Sequence, residues 1–172
     1  ASGKETQLTF DGKPDYGYAT DNAGWKHTDN AILVWSPDGN KIATFQQDQR
    51  KTSSMTLVAT NVGAPKVEQW KYPFVGDKDV TMIERVIIDL AAATPKTIRL
   101  QLPPDQHRST CSDDIACSEG WEDVQWAKDG KTLAFVSTDR GHKSATLRVA
   151  DAATGKVRDV YTETVKTQYQ SA

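Results

Sequence analysis

No stretch of this sequence approaches the roughly 18 to 20 consecutive apolar residues that carry a helix across a bilayer. The longest candidate, Val86-Ile87-Ile88-Asp89-Leu90-Ala91-Ala92-Ala93, is broken by a carboxylate, so the chain reads as soluble with no membrane partner. An excess of one charge is also missing. Lys and Arg number 21 against 23 Asp and Glu, the net charge is -2, and like charges never run beyond a couple of residues. That balance argues against a nucleic acid or an anionic membrane as the main partner. Histidine is scarce: His27, His107 and His142 stand apart in polar surroundings without metal-ligand spacing, so each is read as a surface residue. No metal site and no cofactor are expected.

Cysteine is limited to Cys111 and Cys117, which enclose Ser112-Asp113-Asp114-Ile115-Ala116 after Pro103-Pro104. So short a loop closes into a disulfide in an oxidising compartment. Free thiols are the other reading, and zinc would need two more soft ligands where only His107 lies near. The chain also opens on Ala1-Ser2-Gly3-Lys4 rather than on a Met, a basic region and an apolar run. Either a leader has been removed or the piece belongs to something longer.

Helical periodicity is absent too, since no window of eleven or more residues repeats apolar positions at a helical period. What is present is a series of short alternating segments separated by turn signals, the pattern of an all-β protein. Strands are expected at 5–10, 31–35, 41–45, 55–59, 80–89, 97–101, 124–126, 132–136, 145–149 and 157–161. The 172 residues, 37% of them hydrophobic, suffice for the core of one domain.

Repetition is the most informative feature. Trp35-Ser36-Pro37-Asp38-Gly39-Asn40-Lys41-Ile42-Ala43 returns in the same register as Trp126-Ala127-Lys128-Asp129-Gly130-Lys131-Thr132-Leu133-Ala134. Each copy is a hairpin with its Asp-Gly turn written out. A second element, Ala1-Ser2-Gly3-Lys4, is echoed by Ala93-Thr94-Pro95-Lys96 and Ala153-Thr154-Gly155-Lys156, and reads as the turn between the third and fourth strands of a four-stranded unit. Such sheets arranged radially make a propeller with roughly 40 to 50 residues per blade.

The blades do not close. The order is a lone outer strand within 1–10, a blade over about 31–102, a second over about 124–161, and the start of another at 165–172. The interval between Trp35 and Trp126 could hold two ordinary blades but carries one hairpin of this kind, so the surplus is assigned to an extended β-arm over about 47–79. A compact four-bladed propeller has the right length but lacks the repeated turns. Trp35 and Trp126 are expected in the core between sheets. Asp48-Gln49-Arg50 and Asp139-Arg140 hold equivalent places after a second strand, which favours a turn or ion pair.

Val34-Trp35-Ser36-Pro37-Asp38-Gly39, then Thr44-Phe45-Gln46-Gln47-Asp48-Gln49-Arg50, then Trp70-Lys71-Tyr72-Pro73-Phe74-Val75-Gly76-Asp77, resemble the N-terminal propeller of the dipeptidyl peptidase IV family. The similarity extends over nearly the whole chain. It implies a portion of an eight-bladed propeller seated over an α/β-hydrolase domain with a Ser, Asp and His triad, in an enzyme that removes dipeptides from free N-termini with Pro or Ala second. The nucleophile elbow G-x-S-x-G that marks such a hydrolase is absent, Ser118 in Ala116-Cys117-Ser118-Glu119-Gly120 lacking the first glycine. No catalytic residue is therefore assigned to this chain.

The family's propeller grips the substrate ammonium with adjacent glutamates, because two fixed carboxylates orient a cationic terminus. No such pair precedes the hairpin here. Asp21 and Asn22 are the nearest match and are the expected substrate-binding residues, with a plain loop turn as the alternative. The family's arm pairs two subunits, so the resemblance implies a homodimer through Trp70, Tyr72 and Phe74, against the alternative that these rings fold over their own blade. The adjacent carboxylates Asp113-Asp114 and Glu122-Asp123 read as solvated.

Two functions follow as expectations. One is the noncatalytic propeller portion of a periplasmic or secreted serine dipeptidyl peptidase, with peptide substrate and a hydrolase domain of the same polypeptide as partners. The other is a stand-alone propeller-like protein-binding module of the periplasm, which needs no hydrolase.

Overall fold

The computed structural model describes residues 3–22, 28–106 and 123–168, and every regular element among them is a strand. The fold is all-β, a partial propeller of antiparallel blades. In the first blade the inner tier comes in two pieces, β1 (Tyr16–Tyr18) and β2 (Val34–Trp35), which pair with opposite ends of β3 (Lys41–Asp48). A two-stranded arm of β4 (Ser54–Ala59) and β5 (Lys66–Lys71) then leaves the sheet. The chain returns as β6 (Met82–Asp89), paired with β3 from Lys41 opposite Asp89 to Asp48 opposite Met82. The outer tier is again split, into β7 (Lys96–Arg99) and β8 (Asp105–Gln106), both on β6.

The second blade is uninterrupted: β9 (Val124–Trp126), β10 (Thr132–Thr138), β11 (Ser144–Asp151) and β12 (Val157–Thr164), in chain order across one sheet. Between β11 and β12 the register shifts at Leu147 and Arg148, so that Arg148 stands opposite Asp159 and Val160 is the extra residue. Such a bulge re-aims a side chain. Here it lets Arg148 Nε donate to Asp159 Oδ1 at 2.8 Å.

The repeated hairpins form as their sequences dictate. Trp35 pairs with Ile42 and Trp126 with Leu133, in one register. In both turns the glycine, Gly39 or Gly130, takes a positive φ of 70° or 64°, a conformation that disfavours a side chain. Each glycine N–H donates to the carbonyl three residues back at 2.9 Å, and Asp38 and Asp129 accept from the backbone two residues on. The Ser36 hydroxyl and the Asn40 N–H both donate to Asp38 and hold its carboxyl down at about 2.

The two tryptophans part company in burial. Trp126 is buried and its indole N–H reaches the Val34 carbonyl of the first blade at 3.2 Å. Trp35, expected in the core, is 51% exposed instead. The shared register gives both the same face of their blades, and the first blade has no sheet against that face among the described residues. The expected strand at 5–10 is likewise not formed. The strand that pairs ahead of the first hairpin is β1, and residues 3–15 lie outside the sheet except for a bridge between Lys13 and Tyr16.

The core lies between the blades. Ile32, Val34, Ala43, Phe45, Ile83, Ile87, Ile98 and Leu100 of the first meet Val124, Trp126, Leu133, Phe135, Ala150 and Ala152 of the second in one buried cluster. Alternation along β3 and β6 supplies one set, alternation along β10 the other. Polar groups fasten the same seam. Gln101 N donates to the Gly155 carbonyl at 2.7 Å, and Arg85 donates to Asp105 and to the Val136 carbonyl while its guanidinium lies 4.9 Å from the Phe135 ring centroid. Ser137 completes the group by donating to Asp105 at 2.6 Å.

Candidate functional site

The polar end of β3 organises the candidate site. Phe45-Gln46-Gln47-Asp48-Gln49 continues a buried strand with amides where apolar residues would serve packing better, and Gln46, Gln47 and Gln49 are at most 3% exposed. Gln47 donates to Asn22 Oδ1, so the segment 19–22 is tied to the strand. Gln46 instead receives Arg99, which also pairs with Glu84 and Asp11 and contacts the Tyr18 hydroxyl. Burial, reinforced by donation to Asp11, pushes the Tyr18 phenol up to about 12.

A pocket of about 340 Å³ opens between this strand end and the base of the arm, lined by Asp15, Asn22, Gln49, Ser54, Gln69, Trp70 and Lys71. Asp15 adopts a left-handed φ of 59°, tolerated by aspartate, and its carbonyl accepts Gln49 N at 2.9 Å. Lys71 Nζ is 3.7 Å from Asp15 Oδ2 and donates to the Thr52 carbonyl at 3.2 Å. Gln47 Oε1 and Gln49 Oε1 are buried with no hydrogen-bond partner among the described residues. An acceptor left so costs about 1 to 3 kcal/mol, which packing alone does not require.

The sequence-derived residues fall in and around this pocket. Asn22 lines it, while Asp21 sits just outside, its carboxylate accepting the Thr28 hydroxyl at 2.6 Å and its carbonyl accepting Thr28 N. Of the three arm aromatics, Trp70 lines the pocket at the arm base; Tyr72 and Phe74 lie edge to face with centroids 5.8 Å apart, and Phe74 is 42% exposed. Cys111, Cys117, His27, His107, Asp113, Asp114, Ser118 and Glu122 lie outside the described residues. His142 belongs to the β10–β11 turn, where Asp139 accepts from the backbone of Lys143 and Ser144 and is held below its usual range by those N–H groups.

The equivalent pairs take structural roles. Asp48 binds Arg50 at 2.7 Å, which lowers its pKa, and Arg50 stacks on Tyr16 with its central carbon 4.2 Å from the centroid. Arg140 crosses from the second blade to the carbonyls of Asp77 and Phe74 and pins the arm's return. Sequence reasoning missed Asp15, Gln49 and Arg85. The available signal was the run of buried-strand glutamines and the lone Arg inside an apolar strand.

A family model of the dipeptidyl peptidase IV (DPP IV) N-terminal region matches residues 1–171. Among solved structures, a Bacteroides ovatus protein assigned as a dipeptidyl aminopeptidase IV is similar at TM-score 0.61 and 24% identity, over 81% of this chain and 18% of its own. Porphyromonas gingivalis dipeptidyl peptidase 4 is similar at TM-score 0.66 and 14% identity, over 96% of this chain and 22% of its own. The chain thus spans about a fifth of each of those proteins. At such identities the likeness speaks for the fold, and it is the family model, matched from one end to the other over the blades and arm described above, that shows this chain to belong to the dipeptidyl peptidase IV N-terminal region family.

Proposed function

We propose that this chain is a noncatalytic propeller section of a serine-type dipeptidyl peptidase, and that it helps admit and orient peptides for a hydrolase domain of the same polypeptide. The family match over residues 1–171 carries the reading. Asp21 and Asn22 are its substrate-orienting residues, each already held: Asp21 by Thr28 and Asn22 by Gln47. A carboxylate and an amide fixed beforehand cost little to organise around an incoming amino terminus. The arm is its dimer contact, because it projects from the blade with Leu57, Val58 and Val67 exposed and Phe74 at its root. A periplasmic or secreted setting follows from the Cys111 and Cys117 loop.

Sequencing the gene beyond the codon for Ala172 tests the reading. A G-x-S-x-G element followed by Asp and His in frame is the expected result. A frame that ends at once instead supports a stand-alone binding module.

A further inference from the structure

We infer that the pocket at the base of the arm binds a neutral saccharide, a ligand distinct from the peptide of the proposed function. Its lining is rich in hydrogen-bonding groups and poor in apolar ones. Three carboxamides, a hydroxyl, a carboxylate and an ammonium surround a single apolar surface, the Trp70 indole. The Asp15 and Lys71 charges offset each other, so the pocket offers no net field to attract an ion. At 3.7 Å the two are too far apart for a direct hydrogen bond, and a hydroxyl set to one side of the pair, about 2.8 Å from each, can donate to the carboxylate while accepting from the ammonium.

The second observation is Gln49. Its side chain is 97% buried by the residue's 3% exposure, it lines the pocket, and its Oε1 has no partner among the described residues. It calls for a donor from the ligand. Vicinal hydroxyls satisfy such a set better than a peptide does. Each O–H both donates and accepts, whereas a peptide adds side chains that want apolar subsites the lining does not provide. The indole supplies the flat surface on which the C–H face of a sugar ring rests. The volume of about 340 Å³ lies at the small end of the roughly 300 to 1,000 Å³ usual for small-ligand sites, which suits one or two rings.

Saturation-transfer-difference NMR on the full-length polypeptide tests this, with methyl glucoside and N-acetylglucosamine as probes and a tetrapeptide capped at both ends as the comparison. The expected result is transfer to ring protons of at least one sugar, with a Kd of about 1 to 10 mM. Trp70→Ala and Gln49→Leu should each weaken it about tenfold, and both leave unchanged Asn22, the one lining residue shared with the proposed peptide-orienting pair. Gln49→Leu keeps size and burial, so loss in that variant is not a folding effect if its melting curve matches the parent. Absence of transfer to both sugars, transfer only to the capped peptide, or transfer undiminished in both variants overturns the assignment.

Discussion

Gly155 shows how a single residue can set the distance between two sheets. It has a φ of 71°, and a Cβ there would stand 2.4 Å from the Arg99 carbonyl oxygen of the neighbouring blade. Gly39 has nearly the same φ but open space around it. Alanine at Gly39 therefore loses only the backbone preference, about 1 to 2 kcal/mol, while Gly155→Ala must also move a backbone and is expected to cost about twice as much in urea unfolding. Equal costs would contradict the close approach. Arg85 is the polar counterpart, a guanidinium only 4% exposed and paired with Asp105. Arg85→Met takes the nearer of two guanidinium partners from that carboxylate, which keeps Ser137 and has Arg148 at 3.6 Å, so the expected loss is about 1 to 3 kcal/mol.

Tyr18 gives a pH signature at the same scale. Its folded pKa, raised to about 12 from 10.0, stabilises the fold fully below pH 10, and that contribution is lost as pH rises through 12. Phenolate absorbance should show one tyrosine titrating late, and Tyr18→Phe should remove that component. Late titration surviving in the variant would assign it to another ring.

At the scale of the element, the hairpins were the most legible feature, because Asp-Gly turns depend on local chemistry that the sequence writes out. Burial of their tryptophans was not legible, since it depends on what lies across the sheet rather than on the strand itself. Trp126→Ala should cost about 3 to 5 kcal/mol, as for other buried aromatic truncations, and Trp35→Ala far less in this chain because the ring is half exposed. Denaturation midpoints of the two variants check the difference. Residues 5–10 alternate like a strand, yet no sheet edge receives them. β1 was missed because Tyr16-Gly17-Tyr18 is too short to show a period, and its pairing comes from β3 reaching as far as Asp48. The pocket was half visible: Asn22 and Trp70 were singled out for other reasons, but only folding brings residues 15–22 to the arm base.

For the molecule as a whole, two blades share one core, while Trp35 and the outer strand β12, with Val160 and Tyr161 exposed, carry apolar groups to solvent. Open sheet edges seek partners. This 172-residue chain by itself should self-associate in light scattering, and a monodisperse monomer would count against both the open blades and the arm contact. The measurement to make is release of the N-terminal dipeptide from a Gly-Pro chromogenic substrate by the full-length polypeptide, alongside the same substrate acetylated at its amino group. Under the proposed function, turnover of the free amine and none of the acetylated form is expected; turnover of neither, or of both equally, would contradict a propeller that selects free N-termini for a dipeptidyl peptidase.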